Sequence, residues 1–489
     1  MNSRNHHQVK PSTTLKFILS ILGICGLIAW FFPEDGIQLF GKTKLKFADR
    51  SIFFPDTTKD KSKAIQDLLA SYEIIADSTG MADSLSAIEA EKRKEQIKIL
   101  VPQDQSHPLG NFFVAIDALK KGELQQLRVI HFGDSQIEGD RITGYLREQW
   151  QKKYGGNGPG LLPAFEVVPS SGIDQNNEGN WKRYAMFGER DTIIKHNRYG
   201  VLANFGRFIE PLTDSLLTEK KNGKIILSPS KMGHSRARSY NKLRMWLGDN
   251  RDTVAISIYN NDSLIAVDKI NPGGAREKSW SLGGTPSELS IQFEGKDSPN
   301  IWGISLESNK GVIVDNVGMR GSSGTIFKKM DRSLLTSQLH SLNPALFILQ
   351  FGGNTVPHIE SKEQADEYGN WFGGQIKLLK QICPGASVLV IGPSDMAYKE
   401  GQEFVSYPFI EEVRDALKSA TFAEGGSYWD LYEVMGGENS MASWVTADPP
   451  LAAPDYVHFS PKGARTVAEL LMKSIEEEHV KWKSKPIAK

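Results

Sequence analysis

The arrangement of apolar positions changes character four times along the chain. The first stretch, Phe17 to Phe32, is uncharged throughout, and Leu15 with the stem of Lys16 extends it toward the length of a membrane span. The second, from Lys59 to Leu100, scatters leucines among Lys, Glu, Ala and Asp, which predicts a helical but mostly solvated segment broken near Ser78, Thr79 and Gly80. A third texture runs from about 157 to 308, where short alternating runs such as Leu243–Leu247, Val254–Tyr259 and Leu289–Phe293 are separated by turn signals at Asp249-Asn250, Asn260–Asp262 and Pro272–Gly274. That pattern predicts an antiparallel β-sandwich.

Around this middle stretch the pattern is that of alternating strands and helices. Asn111–Lys120 has helical spacing, and Arg128–Phe132 reads as a buried strand followed by a turn into a helix after Ser135. Beyond 309, Val312–Val314, Leu346–Phe351, Ser387–Gly392 and Tyr428–Tyr432 read as strands. Ile326–Leu339, Tyr368–Ile382 and Pro461 to about Trp482 read as helices. The expected fold class is α/β, with parallel strands and helices on both faces of the sheet. The expected division is a cytoplasmic N-terminus at 1–16, a transmembrane anchor at 17–32 and a spacer or stalk at 33–108. Residues 109–156 and 309–482 then form one split α/β domain, with the β-sandwich of 157–308 inserted into it.

Composition narrows the function classes. The chain has 489 residues, enough for two domains and a tail, and its 58 Lys+Arg balance 58 Asp+Glu. Zero net charge gives no support for a nucleic-acid partner. Its two cysteines are Cys25, in the apolar stretch, and Cys383, so a disulfide between them is not expected. No Cys/His cluster has zinc-site spacing and no phosphate-binding glycine loop is present, so neither metal nor cofactor is expected. Arg4, Lys10 and Lys16 precede the apolar run, and bulky Trp30-Phe31-Phe32-Pro33 follows it without a small-x-small cleavage site. We therefore expect a retained single-pass anchor in the cell membrane, with the remainder exported to the periplasm or the extracellular side.

The candidate chemistry lies at strand ends. Gly133-Asp134-Ser135 closes the first strand, and Asp455-Tyr456-Val457-His458 stands near the other end of the chain. A serine hydroxyl needs a base to become a nucleophile, and the base needs a partner to fix its tautomer; His458 and Asp455 supply both. Two further blocks fall between them in order: Asn316–Gly321 after one strand and Gly352-Gly353-Asn354 after another. Attack on an ester carbonyl develops an oxyanion, for which the backbone N–H of Ser135, that of Gly321 and the Asn354 amide are candidate donors. Glycine at 321 suits a backbone that approaches substrate closely or takes a positive φ. A helix starting just after Ser135 would add a favourable dipole. Glu138, Asp140, Arg320 and His358 lie near these blocks and read as polar loop or helix surface.

In the order and type of these blocks the chain resembles the SGNH hydrolases, also called GDSL-type esterases. The resemblance covers about 131–155 and 311–475. It implies an SGNH-type, flavodoxin-like three-layer sandwich and a serine hydrolase acting on carboxylic esters, with Ser135, Asp455 and His458 as triad and Ser135, Gly321 and Asn354 as oxyanion hole. The G-x-S-x-G elbow of other serine hydrolases is absent.

A β-rich insertion after the first block resembles the layout of bacterial peptidoglycan O-acetylesterases of that family, although here Gln136 follows the serine. The resemblance implies removal of O-acetyl or similar small acyl groups from a cell-envelope or extracellular polysaccharide. The alternative is an O-acetyltransferase that passes the acyl group to a polysaccharide hydroxyl, with a membrane acyl-transfer partner. Trp181, Trp246, Trp280 and Trp302 are candidate platforms for a sugar ring on the inserted sandwich, although tryptophans at alternating positions more often belong to a core.

Overall fold

The computed structural model describes residues 10–33, 37–40, 43–45, 47, 65, 97–103, 106–211 and 218–484. Most of the expected spacer at 33–108 lies outside the described residues. Helix α1, Pro11–Phe31, opens with proline in its first turn, where a missing N–H costs nothing. It has 21 residues, and its most apolar window has a mean hydropathy of 2.0, long and apolar enough to cross a membrane.

Five parallel strands build the central sheet. They are β1 (Gln126–Gly133), β2 (Gly311–Gly318), β3 (Pro344–Gln350), β4 (Ser387–Ile391) and β5 (Ser427–Trp429), in the spatial order β2-β1-β3-β4-β5. This is the flavodoxin-like order, whose direction reverses between β1 and β3. Neighbouring residues along each strand serve opposite faces. Leu127 and Val129 of β1, with Leu346 and Ile348 of β3, join the core beneath α2 (Gly110–Lys121), α3 (Thr143–Tyr154) and α7 (Pro461–Ser484). Ile130, Phe132, Phe347 and Leu349 join the opposite core beneath α4 (Arg332–Leu342), α5 (Lys362–Ile382) and α6 (Ile410–Ala423). Burial on both faces explains why these strands read as continuous apolar runs.

Between α3 and β2 the chain forms two antiparallel sheets. One runs in the order Ser263–Ile270, Val254–Asn260, Leu289–Gly295, Lys221–Ser228, Asp174–Glu178. The other runs Arg276–Ser281, Lys242–Gly248, Asn300–Glu307, Asn204–Arg207, Lys182–Ala185, with Gly160–Leu162 added alongside Asn300–Glu307. Ile225, Leu227, Met245, Ile256, Ile291, Phe293 and Ile304 fill the space between them.

The second sheet is buried on its outer side as well, where Trp246 and Trp302 share one core with Leu335 and Leu339 of α4. A buried ion network crosses the same junction. Arg128 of β1 bonds Asp315 of β2 at 2.8 Å and also Glu307 at the end of the inserted segment. Arg244 reaches Glu307 at 3.4 Å and Ser341 of α4 at 2.9 Å.

Candidate active site

Strand register brings three of the site's loops together. The last pair of the β1–β2 ladder is Gly133 with Gly318, and the last pair of β1–β3 is Gly133 with Gln350. The three loops that follow, carrying Ser135, Gly321 and Asn354, therefore leave the sheet at one level. They do so at its carboxyl edge, beside the point where strand order reverses, which is where open parallel sheets bind ligands. Asp134 N–H donates to Gln350 O at 3.3 Å and Met319 N–H to Gly133 O at 2.7 Å, tying the first loop to each of its neighbours.

His458 arrives from the far side on a tight turn before α7. Tyr456 takes a left-handed φ of 58° within that turn, and Ala453 N–H bonds His458 O at 2.7 Å. The imidazole Nε2 stands 2.8 Å from Ser135 Oγ, and Nδ1 stands 2.8 Å from Asp455 Oδ2. Because Asp455 is acceptor-only when ionised, Nδ1 carries the proton and Nε2 is left to accept from the serine hydroxyl. Asp455 Oδ1 accepts the backbone N–H groups of Val457 and His458 at 3.0 and 2.9 Å. Partial burial pushes the Asp455 carboxyl up, but these bonds, the ring N–H and the imidazole charge outweigh it and hold the group below its ordinary value.

Two unengaged donors flank the serine. Among the described residues, the backbone N–H groups of Ser135 and Gly321 donate to no acceptor. Gly321 adopts a φ of +76°, with open space where a side chain would point. The Asn354 amide, the candidate side-chain donor, is already engaged: its Nδ2 donates to Asp134 Oδ2 at 3.1 Å and to Ser322 O at 3.3 Å. A cavity of about 280 Å³ opens beside these groups, lined among others by Ser135, Asn354, His358, Met396, Tyr407 and His458.

Several expectations are corrected. No helix begins directly after Ser135; a turn and a single 3₁₀ turn, Glu138–Asp140, precede α3. Gly139 and Asp140 take left-handed φ values of 69° and 68°, which interrupt any helix there. Asp140 is not surface but 4% exposed, paired with Arg147. Arg320 and His358 are exposed, in line with the surface reading; Arg320 pairs with Glu138, and His358 borders the cavity. Trp181, Trp246 and Trp302 are 9%, 5% and 2% exposed and present no face to a sugar, while Trp280 is half-buried against the sandwich core. The hairpin Ala397–Glu400/Glu403–Ser406, which ends next to Tyr407, went unread; its Gly401-Gln402 turn was the available signal.

Comparison with known proteins agrees with this architecture. Residues 284–466 match the GDSL-like lipase/acylhydrolase family, a span that holds Gly321, Asn354, Asp455 and His458 but not Ser135, which the insertion separates from them. A solved peptidoglycan O-acetylesterase aligns with 77% of this chain and 97% of its own at 20% identity, with a TM-score of 0.60, a likeness of fold. An acetyl xylan esterase aligns with 34% of this chain and 81% of its own (18% identity, TM-score 0.26). A salicylyl-acyltransferase of a tetracycline biosynthetic pathway aligns with 54% and 84% (10% identity, TM-score 0.25). No curated protein sequence matches the chain.

Proposed function

We propose that this chain, whose residues 284–466 match the GDSL-like lipase/acylhydrolase family, is a serine esterase that removes O-acetyl or similar small acyl groups from a cell-envelope or extracellular polysaccharide. The observation that carries the reading is the relay Ser135 Oγ–His458 Nε2 and His458 Nδ1–Asp455 Oδ2, each 2.8 Å, beside the unengaged N–H groups of Ser135 and Gly321. Ser135 attacks the ester carbonyl as His458 takes its proton, and Asp455 steadies the imidazolium. The carbonyl oxygen, now an oxyanion, accepts from the two backbone N–H groups. It draws the Asn354 amide away from Ser322 O, the longer of that amide's two bonds. His458 returns the proton to the departing sugar hydroxyl, and water repeats the sequence on the acyl-enzyme.

The polysaccharide part of the reading rests on three supports. The site cavity is larger than an acetyl group needs, the neighbour of similar fold is itself a peptidoglycan O-acetylesterase, and α1 suits a membrane anchor for an exported enzyme. In this reading 157–308 is an inserted domain and 109–156 with 309–482 the hydrolase. The test supplies an aryl acetate and an O-acetylated glycan, with a fluorophosphonate to mark the nucleophile. Release of acetate and labelling at Ser135 are expected. Absence of labelling overturns the reading, and transfer of acetyl to an added oligosaccharide faster than acetate release converts it to the acetyltransferase.

A further inference from the structure

The residue after the nucleophile is the least expected member of the site. The family name lists leucine there, whereas this chain has Gln136, 8% exposed. A buried amide is costly unless its groups are bonded, so its partners show what it is for. Gln136 Nε2 donates to Val457 O at 2.7 Å and also approaches Ser394 Oγ at 3.4 Å. Its Oε1 accepts from Phe459 N–H at 3.4 Å. The one side chain thus holds the residues on either side of His458.

Arg141 makes the matching connection from below. Its guanidinium donates to Ser135 O, to Glu138 O at 3.1 Å and to Phe459 O at 3.3 Å. No helix starts at Ser135 to stiffen the nucleophile turn, and Asp455 leaves half of its side chain in solvent. Gln136 and Arg141 together supply five bonds to backbone groups that join or brace the two turns.

Resting on the esterase reading, we propose that Gln136 and Arg141 are positioning residues that fix the histidine turn to the nucleophile turn, holding the His458 imidazole in line with the Ser135 hydroxyl. Neither touches the reacting atoms. Their effect is on how often the relay is aligned, and displacement of a catalytic group by about 1 Å can cost on the order of a hundredfold in rate.

The test uses the full chain with Gln136→Met, which keeps length without the amide, Gln136→Leu, which restores the family residue, and Arg141→Lys. Three quantities are read: kcat and KM on an aryl acetate, the rate of fluorophosphonate labelling at Ser135, and the thermal transition. We expect kcat and labelling to fall together by about tenfold or more, with KM changed by less than about twofold and the folded transition retained. The double variant Gln136→Met/Arg141→Lys should be less impaired than the product of the singles, because both act on one connection. Labelling and kcat within about twofold of wild type overturn the proposal, as does a loss seen only in variants that have unfolded at the assay temperature. A wild-type chain that fails to label at all is a different outcome, for it removes the esterase reading itself.

Discussion

Asn354 and Asp134 are joined by a 3.1 Å bond from the amide Nδ2 to the carboxyl Oδ2, so the residue preceding the nucleophile holds a candidate oxyanion donor. The other oxygen of Asp134 accepts Gln136 N–H at 2.9 Å. Burial pushes the Asp134 carboxyl up to about 6, against the opposing pull of these bonds and of His458 and Arg141. Ionised, the carboxyl accepts from both partners; protonated, it loses acceptor capacity toward one of them.

Turnover should therefore fall as pH drops through about 6, where Asp134 takes up its proton. Asp134→Asn cannot take up that proton, so it should be slower than wild type above about pH 6 and its acid limb should be shallower. An acid limb of unchanged steepness in that variant would remove Asp134 from the rate.

Ser135→Ala should abolish turnover and labelling while leaving the fold in place. Ser135 Oγ bonds His458 and sits on a turn, so its loss should shift stability by no more than about 1 kcal/mol. A thermal transition unchanged within a few degrees, with esterase activity at background, is the expected pair of results.

The parts of this site legible in the sequence were those written as short words at strand ends. Gly133-Asp134-Ser135, Gly321, Asn354 and Asp455 to His458 each close an apolar run or open a terminal helix, and register then does the assembling. The fold class was legible for the same reason, since two-sided burial turns each parallel strand into an apolar run. What escaped were contacts made across the chain. Gln136 looks like any polar residue until Val457 and Phe459 are seen against it, and Asp140 is buried because Arg147 neutralises it. Helix α6 carries no start signal in the sequence, because the residue before it is Phe409, with a φ of 60° and no capping side chain. Three of the candidate sugar-binding tryptophans proved to be core, since an alternating pattern cannot say that a sheet is covered on both sides.

The two kinds of candidate oxyanion donor should respond differently to substitution. Asn354→Ala removes a side-chain amide, and kcat should fall by roughly a hundredfold with KM little changed. Gly321→Ala keeps its N–H and meets no atom within 4 Å, but its φ of +76° is strained for alanine. It should cost about 1–2 kcal/mol of stability, read from denaturant unfolding, with a smaller loss in kcat than Asn354→Ala. Equal activity of Asn354→Ala and wild type would assign the asparagine to loop structure alone.

The inserted sandwich should prove inseparable from the hydrolase. Glu307, fully buried at the end of the insertion, bonds Arg128 in the central sheet and approaches Arg244 at 3.4 Å. Glu307→Gln leaves Arg128 with Asp315 as its remaining carboxylate and Arg244 with the more exposed Glu277. Breaking a buried pair by neutralising one partner typically costs about 3–5 kcal/mol, a large part of the stability of an ordinary domain. Deleting 157–308 removes Glu307 and also uncovers the apolar face of α4, where Leu335 and Leu339 share a core with Trp246 and Trp302. The deleted chain should be insoluble or unfolded, and Glu307→Gln should unfold at clearly lower denaturant with its slope preserved. A trimmed hydrolase that folds and labels at Ser135 would show instead that this junction is dispensable.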